Sequence, residues 1–207
     1  MNFTCDQLHQ LLRERGTFRF PFDPKLVPEN GIYVLYEQDE TGHGGDRIVR
    51  VGTHTGDKQL RSRLKQHFVN ENKDRSIFRK NIGRALLSRD EDPFLHYWNL
   101  DLTTVAAKAK HEGTFDACRQ KAIELRVTEY IQTRFSFRVL NVPKKEDRLD
   151  LEARMIATVY LCSACKPSHH WLGSCSSKAK IREGGLWQVN ELGGEVLTAA
   201  HLPYFNK

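Results

Sequence analysis

The run Gly31-Ile-Tyr-Val-Leu-Tyr-Glu37 constrains this chain more than any other stretch. It is short and apolar, with Pro28-Glu-Asn30 before it and a Gly/Asp-rich segment after it. Four to eight apolar residues between turn signals are predicted to form a buried strand. A second run of the same kind follows, Arg47-Ile-Val-Arg-Val-Gly-Thr53. The intervening Gln38 to Asp46 is rich in Gly, Asp and Thr, so the two runs are expected to pair as an antiparallel hairpin around a loop.

The flanking sequence reads mainly as helix. Thr4 to Glu14 carries Leu8, Leu11 and Leu12 on one face, with Thr4 or Asp6 as cap and Gly16 as terminator. Phe18 to Pro24 is expected to be extended, because both prolines disfavour helix at the preceding residue. Asp57 is expected to cap a helix from Lys58 to about Val69, with Leu60, Leu64 and Phe68 as its buried stripe. Arg63 and His67, also four apart, lie one above the other beside that stripe. Ser76 to Leu87 is a third helix, with Arg75, Arg79, Lys80 and Arg84 assigned to its outer side. Phe94 to Trp98 reads as a strand within an otherwise irregular segment, Asp90 to Gly113. Ala117 to Thr133 is a helix with Ala122, Leu125 and Tyr130 turned inward, and Phe135 to Val142 is a strand. Pro143 to Asp150 reads as a charged connection into a helix, Leu151 to Leu161, whose first turn holds Glu152. Trp171 and Trp187 are packing anchors of a Gly/Ser/Pro-rich tail, with a short helix at Lys178 to Glu183.

These elements fit one domain over 1–207: an α+β fold with a small, mostly antiparallel three-stranded sheet flanked by helices, an N-terminal helical extension and a C-terminal tail. At 207 residues the chain is long enough for a real core. No apolar run approaches bilayer length, and no secretory signal is visible. Five cysteines, an odd number, point to reduced thiols and a cytoplasmic setting. The net charge is +6. Leu60 to Arg89 holds nine Lys/Arg against Glu71 and Asp74, which accounts for the whole excess. That window makes DNA the expected partner, with His54, Arg61, Lys65, Arg75, Arg79, Lys80 and Arg84 as candidate phosphate contacts; the alternative is an ordinary solvated helix face.

Gly31-Ile32-Tyr33, a following strand ending Val51-Gly52, Arg63-x-x-x-His67 on a helix and a later helical Glu152 together resemble the GIY-YIG nuclease superfamily. The resemblance covers roughly Gly31 to Gly173. The segments Arg75 to Leu87 and Pro167 to Gly173 are similar to a stand-alone bacterial branch. It implies a metal-dependent endonuclease. Tyr33 would lie near the attacking water, Arg63 would contact the scissile phosphate, and Glu152 would hold one divalent ion, Mg²⁺ or Mn²⁺. His67 matches an Arg-x-x-x-His pattern of similar restriction enzymes and would move the proton or orient the water. Those roles suit phosphodiester hydrolysis, which deprotonates a water, offsets charge on the phosphoryl oxygens and stabilises the leaving oxygen. Each residue also has an ordinary role: Tyr33 in the core, Arg63 and His67 at the surface, and Glu152 as a partner of the helix dipole.

Two positions depart from the family pattern. Arg50 stands where the second motif has tyrosine, and Ser168 stands where a late asparagine is usual. Both are secondary candidates, and both favour an alternative: a GIY-YIG fold that holds DNA without turning it over. Cys162-x-x-Cys165, His169, His170 and Cys175 form a separate cluster. Cys162, Cys165, His169 and Cys175 offer four donors for a structural Zn²⁺, and hence a zinc-stabilised interaction protein, against buried or incidental thiols.

Overall fold

The structure, a computed structural model, describes residues 3–111 and 116–206. Four antiparallel strands form its sheet in the order β1-β4-β2-β3, one more than the sequence suggests. The added strand, β1 (Phe18–Arg19), is two residues long and pairs Phe18 with Phe137 of β4 (Phe135–Asn141). A strand this short carries no alternating pattern of its own. The central strand is β2 (Gly31–Gly42), paired to β4 on one side and to β3 (Gly45–Gly52) on the other.

The sheet is covered on both faces, which explains why Ile32 to Tyr36 is continuously apolar. Tyr33 and Leu35 face one cluster, packed with Val49, Phe135 and Phe137 against α2 (Leu60–Phe68), α3 (Ile77–Arg89) and α6 (Ala117–Arg134). Trp171 and Trp187 close that cluster, as the sequence predicts. Ile32, Val34 and Tyr36 face a second cluster, packed with Ile48, Val51 and Leu140 against α1 (Cys5–Arg13) and α7 (Lys145–Tyr160). Thr4 caps α1 through a capping box with Gln7. Leu60, Leu64 and Phe68 are fully buried, each contributing about 1.5–3 kcal/mol of burial.

Several sequence expectations are corrected. Gln38 to Asp46 is largely strand: β2 and β3 run on through an irregular register to a two-residue turn at His43-Gly44, both at positive φ. Asp57 caps nothing; its carboxylate accepts from the Asn30 amide at 2.8 Å, and α2 starts without a side-chain cap. Phe94 to Trp98 belongs to a helical turn, α4 (Leu95–Trp98), not a strand. Phe94 and Trp98 are both buried and four apart, and Asp92 accepts from the Phe94 N–H at 2.9 Å to start the turn. The supposedly irregular segment beyond it holds α5 (Val105–Lys110); its part at 112–115 lies outside the described residues. On α6, Ala122 and Leu125 face solvent, and the buried stripe is Ile123, Val127 and Ile131. The tail helix, α8 (Ala179–Gly184), lies where the sequence places it.

The correction with most consequence is at α7. Pro143 to Asp150 is not a connection, because the helix begins at Lys145 without a side-chain cap. Glu152 is therefore its eighth residue rather than part of the first turn. The helix dipole acts mainly within the terminal turn, so it no longer accounts for a carboxylate here.

Candidate active site

Tyr33 sits opposite Gly52 across the β2–β3 ladder. A Cβ at Gly52 would lie 2.2 Å from the Tyr33 hydroxyl, so glycine leaves the space into which the phenol folds. Gly31 has a similar reason: a Cβ there would lie 2.1 Å from the Leu140 carbonyl oxygen on β4. The two motif glycines thus let β2 approach its neighbours and let Tyr33 turn toward α2.

There the phenol meets His67. The Tyr33 hydroxyl lies 2.8 Å from His67 Nε2, and His67 Nδ1 lies 2.7 Å from Ser76 Oγ. Ser76 is the N-cap of α3, its Oγ also accepting from the Arg79 N–H at 3.2 Å. A hydrogen-bonded chain therefore runs from the sheet through α2 to the start of α3. Tyr33 and His67 are both at 0% exposure. Burial holds the His67 pKa well below the ordinary imidazole value, with the positive charges of Arg63, Arg50 and Arg79 adding to it. His67 is thus a neutral imidazole at pH 7, with one ring nitrogen donating and the other accepting.

Arg63 lies one turn before His67 and lines a groove of ≈ 380 Å³ with Thr53, His54, Thr55, Gln59, Ser62 and Gln66. Its guanidinium donates to Gln66 Oε1 at 3.1 Å and to the Arg75 carbonyl at 3.3 Å. Glu152 approaches from α7, where its Oε1 accepts at 2.9 Å from the N–H of Thr53, one of the residues lining the groove. Among the described residues that is its one hydrogen bond. Burial raises the Glu152 pKa; Arg50, the Thr53 N–H and Arg63 pull it down, and Glu191 pushes it up. The same two arginines, Arg50 and Arg63, therefore act on both His67 and Glu152.

Arg50, where the family pattern has a phenol, is a nearly buried cation. It stacks over Phe78 at 5.5 Å and donates through Nη1 to the Trp187 carbonyl. Its Nε is a buried donor with no partner among the described residues. An unpaired buried N–H is costly.

The structure does not bring every sequence candidate to this groove. Arg79, placed on the outside by sequence, is fully buried: it donates to the Glu124 carboxylate at 2.8 Å, to the His67 carbonyl at 3.1 Å and to Thr128 Oγ1 at 2.8 Å. Lys80 is buried against Asp74 and the Leu100 carbonyl. Arg84 is buried between Asn99 and Asn81. All three are occupied inside the fold because α3 is enclosed on nearly every side. His54 lines the groove, but its Nε2 accepts from the Gly31 N–H at 3.3 Å and its Nδ1 lies 2.7 Å from the Gly56 carbonyl. It is a loop staple with both nitrogens engaged. Arg61 donates to the Val27 carbonyl at 2.7 Å, while Lys65 and Arg75 are exposed. Ser168 is held elsewhere, bonded through N and Oγ to Glu40, which pairs with buried Arg47.

The sequence-level zinc set also changes. Among the described residues, the close group of metal-ligating atoms is Cys5, His9, His43 and Cys165; of the expected set it retains Cys165. His169 is exposed and belongs to no such group, nor does Cys175. Sequence reasoning missed two residues of the candidate-site network, Ser76 and Thr53. Ser76 carried a signal in its N-cap position before an apolar run; the Thr53 backbone N–H carried none.

The sequence profile of the GIY-YIG domain matches residues 4–206. No curated protein and no solved structure gives a significant match. With a central Tyr33–Gly52 pair and a profile spanning nearly its whole length, the chain belongs to the GIY-YIG domain family.

Proposed function

We propose that this protein is a divalent-metal-dependent endonuclease that hydrolyses phosphodiester bonds in DNA at the Thr53–Arg63 groove. The observation that carries the reading is the 2.8 Å contact between Tyr33 and a neutral, buried His67, beside two arginines and one carboxylate. With His67 Nδ1 protonated toward Ser76, Nε2 accepts from the Tyr33 hydroxyl; as the phenol oxygen takes a proton from an attacking water it hands its own to Nε2, which becomes imidazolium. Arg63, at the groove wall, offsets charge on the scissile phosphate. Arg50 adds positive field from inside the fold, acting on both His67 and Glu152. Glu152 is the residue that would hold the ion. It brings a single carboxylate, one oxygen of which makes no hydrogen bond among the described residues, and this suits Mg²⁺, which keeps several waters. When bound, the ion would supply Lewis-acid stabilisation of the leaving oxygen. Lys65 and Arg75 extend the positive surface for the flanking backbone.

A second reading is DNA binding without turnover, and one observation favours it: Tyr33 has no exposed surface. Supercoiled plasmid separates the two. The enzyme reading expects nicking in Mg²⁺ and none in EDTA. Tyr33→Phe should cut about 10²-fold more slowly or worse, with an unchanged melting temperature. Plasmid that is bound yet stays supercoiled in both Mg²⁺ and Mn²⁺ would establish the second reading.

A further inference from the structure

The far end of the hairpin holds a second constellation that shares no residue with the groove. One ligand atom each from Cys5, His9, His43 and Cys165 lie within 4.8 Å of one another. We infer that these four side chains form a structural zinc site joining α1, the hairpin turn and the segment after α7.

Four observations converge on it. The first is spacing. Tetrahedral zinc with Zn–S of about 2.3 Å and Zn–N of about 2.0–2.1 Å holds its ligand atoms roughly 3.3–3.8 Å apart, so a small contraction closes the set. The second is orientation. Cys5 and His9 are four apart on α1 and present their donors to one side. The Nδ1 of His9 lies 2.9 Å from the Cys5 carbonyl; its Nε2 lies 3.7 Å from the Cys165 sulfur and accepts from the Ile48 N–H at 3.4 Å, a long bond that a metal on Nε2 would replace. His43 is less settled: Nδ1 lies 3.6 Å from the Asp6 carboxylate, beyond hydrogen-bond range, and Nε2 lies 3.3 Å from the sulfur of Cys162, which stands outside the set and from which the ring would have to turn. For His9, the carbonyl oxygen on Nδ1 fixes the tautomer that turns the Nε2 lone pair toward the cluster, which is how metal-binding histidines are commonly held.

The third observation is room. A Cβ on Gly42 would come 3.3 Å from the Cys165 sulfur, so the hairpin turn is shaped to admit that thiol. The fourth is charge. Cys5, His9 and Cys165 are buried and His43 is half-buried. Two thiolates and two neutral imidazoles around Zn²⁺ sum to zero, which is the least costly charge state to enclose. Soft sulfur and imidazole donors select zinc over Mg²⁺, so this site and Glu152 would not compete for one ion.

Such a site does structural work that the fold needs. It ties a nine-residue helix, too short to be stable alone, to the end of the helix that carries Glu152. Binding to the folded chain alone would stabilise it by mass action.

The test is metal analysis of the full chain, purified without chelator or affinity tag. One zinc per chain is expected, retained by Glu152→Gln and lost from Cys5→Ser and Cys165→Ser, with melting lowered by several degrees. If those variants fail to fold, wild-type protein refolded with Co²⁺ provides an independent readout: thiolate-to-Co²⁺ charge-transfer bands with tetrahedral d–d intensity. Zinc-free protein whose five thiols all react with a thiol reagent in the native state would overturn the proposal. So would an intact mass two hydrogen atoms short with peptide mapping that joins Cys5 to Cys165 as a disulfide. Metal lost from Cys162→Ser but kept by Cys165→Ser would overturn this ligand set.

Discussion

Helices α2 and α3 are consecutive, similarly basic and nearly indistinguishable by composition, yet the fold uses their charges in opposite ways. On α2 the cations stay near water: Arg63 lines the groove, Lys65 is exposed and Arg61 is half-buried. On α3 three of the four turn inward: Arg79, Lys80 and Arg84 are buried, and Arg89 in the last turn is exposed. The difference lies in what surrounds each helix. α2 packs one stripe, Leu60, Leu64 and Phe68, against the sheet. α3 packs against α4, α6 and the Leu172–Cys175 turn, so few of its side chains reach solvent. Where a cation cannot reach water, the fold supplies acceptors: Glu124 for Arg79, Asp74 for Lys80, and two asparagines for Arg84. A basic stretch in sequence is thus two populations, one available to a ligand and one committed to the core.

The largest effect should come from the committed population. Arg79→Ala leaves the Glu124 carboxylate buried and unpaired, which should cost about 3–5 kcal/mol by urea unfolding. A loss below about 1 kcal/mol would erase the contrast between the helices. Arg63→Ala should behave oppositely. Stability should change by no more than about 0.5 kcal/mol, while cleavage should fall by about 10²–10³-fold. If instead it unfolded the protein with no specific loss in the surviving activity, Arg63 would be structural. A finer probe is the salt dependence of DNA affinity. Replacing exposed Lys65 and Arg75 together should lower the slope of log K against log salt by about two. An identical slope would mean that the free population meets no phosphate.

The pairing of the two apolar runs as a hairpin was legible because it is local, whereas its register, Tyr33 opposite Gly52, was not. An apolar run between turn residues admits few alternatives, and two-faced burial writes itself directly into Ile32 to Tyr36. The stripe of α2, and with it the Arg63–His67 spacing, was legible for the same reason. What could not be read was long-range. The partner of Arg79 is 45 residues away at Glu124, and only the packing of α6 brings it there. Cys165 lies 156 residues from His9, so no spacing rule joins them. Glu152 was misplaced for a different reason. Lys144 to Arg148 is so charged that it reads as a connection, and α7 starts without the capping side chain that would have marked it. The hidden boundary changed the meaning of the residue, from a dipole partner to a carboxylate in the middle of a helix.

That change sets the sign of a pH effect. Burial holds the Glu152 pKa above its ordinary value of 4.5, so the folded state binds this proton more tightly than the unfolded chain. The resulting stability is full below 4.5 and is lost as pH rises through the folded value. Glu152→Gln should therefore melt slightly higher than the native protein at neutral pH without metal, whereas a dipole partner would have made it melt lower.

The most direct measurement is plasmid cleavage by that same variant in Mg²⁺. Gln keeps the size and the contact to Thr53 but is a poor ligand for a hard cation. The account predicts a folded protein that binds DNA without metal as well as before and no longer shows metal-stimulated cleavage, with partial recovery in excess Mn²⁺. Glu152→Gln protein that cuts DNA at the native rate in Mg²⁺ would contradict it.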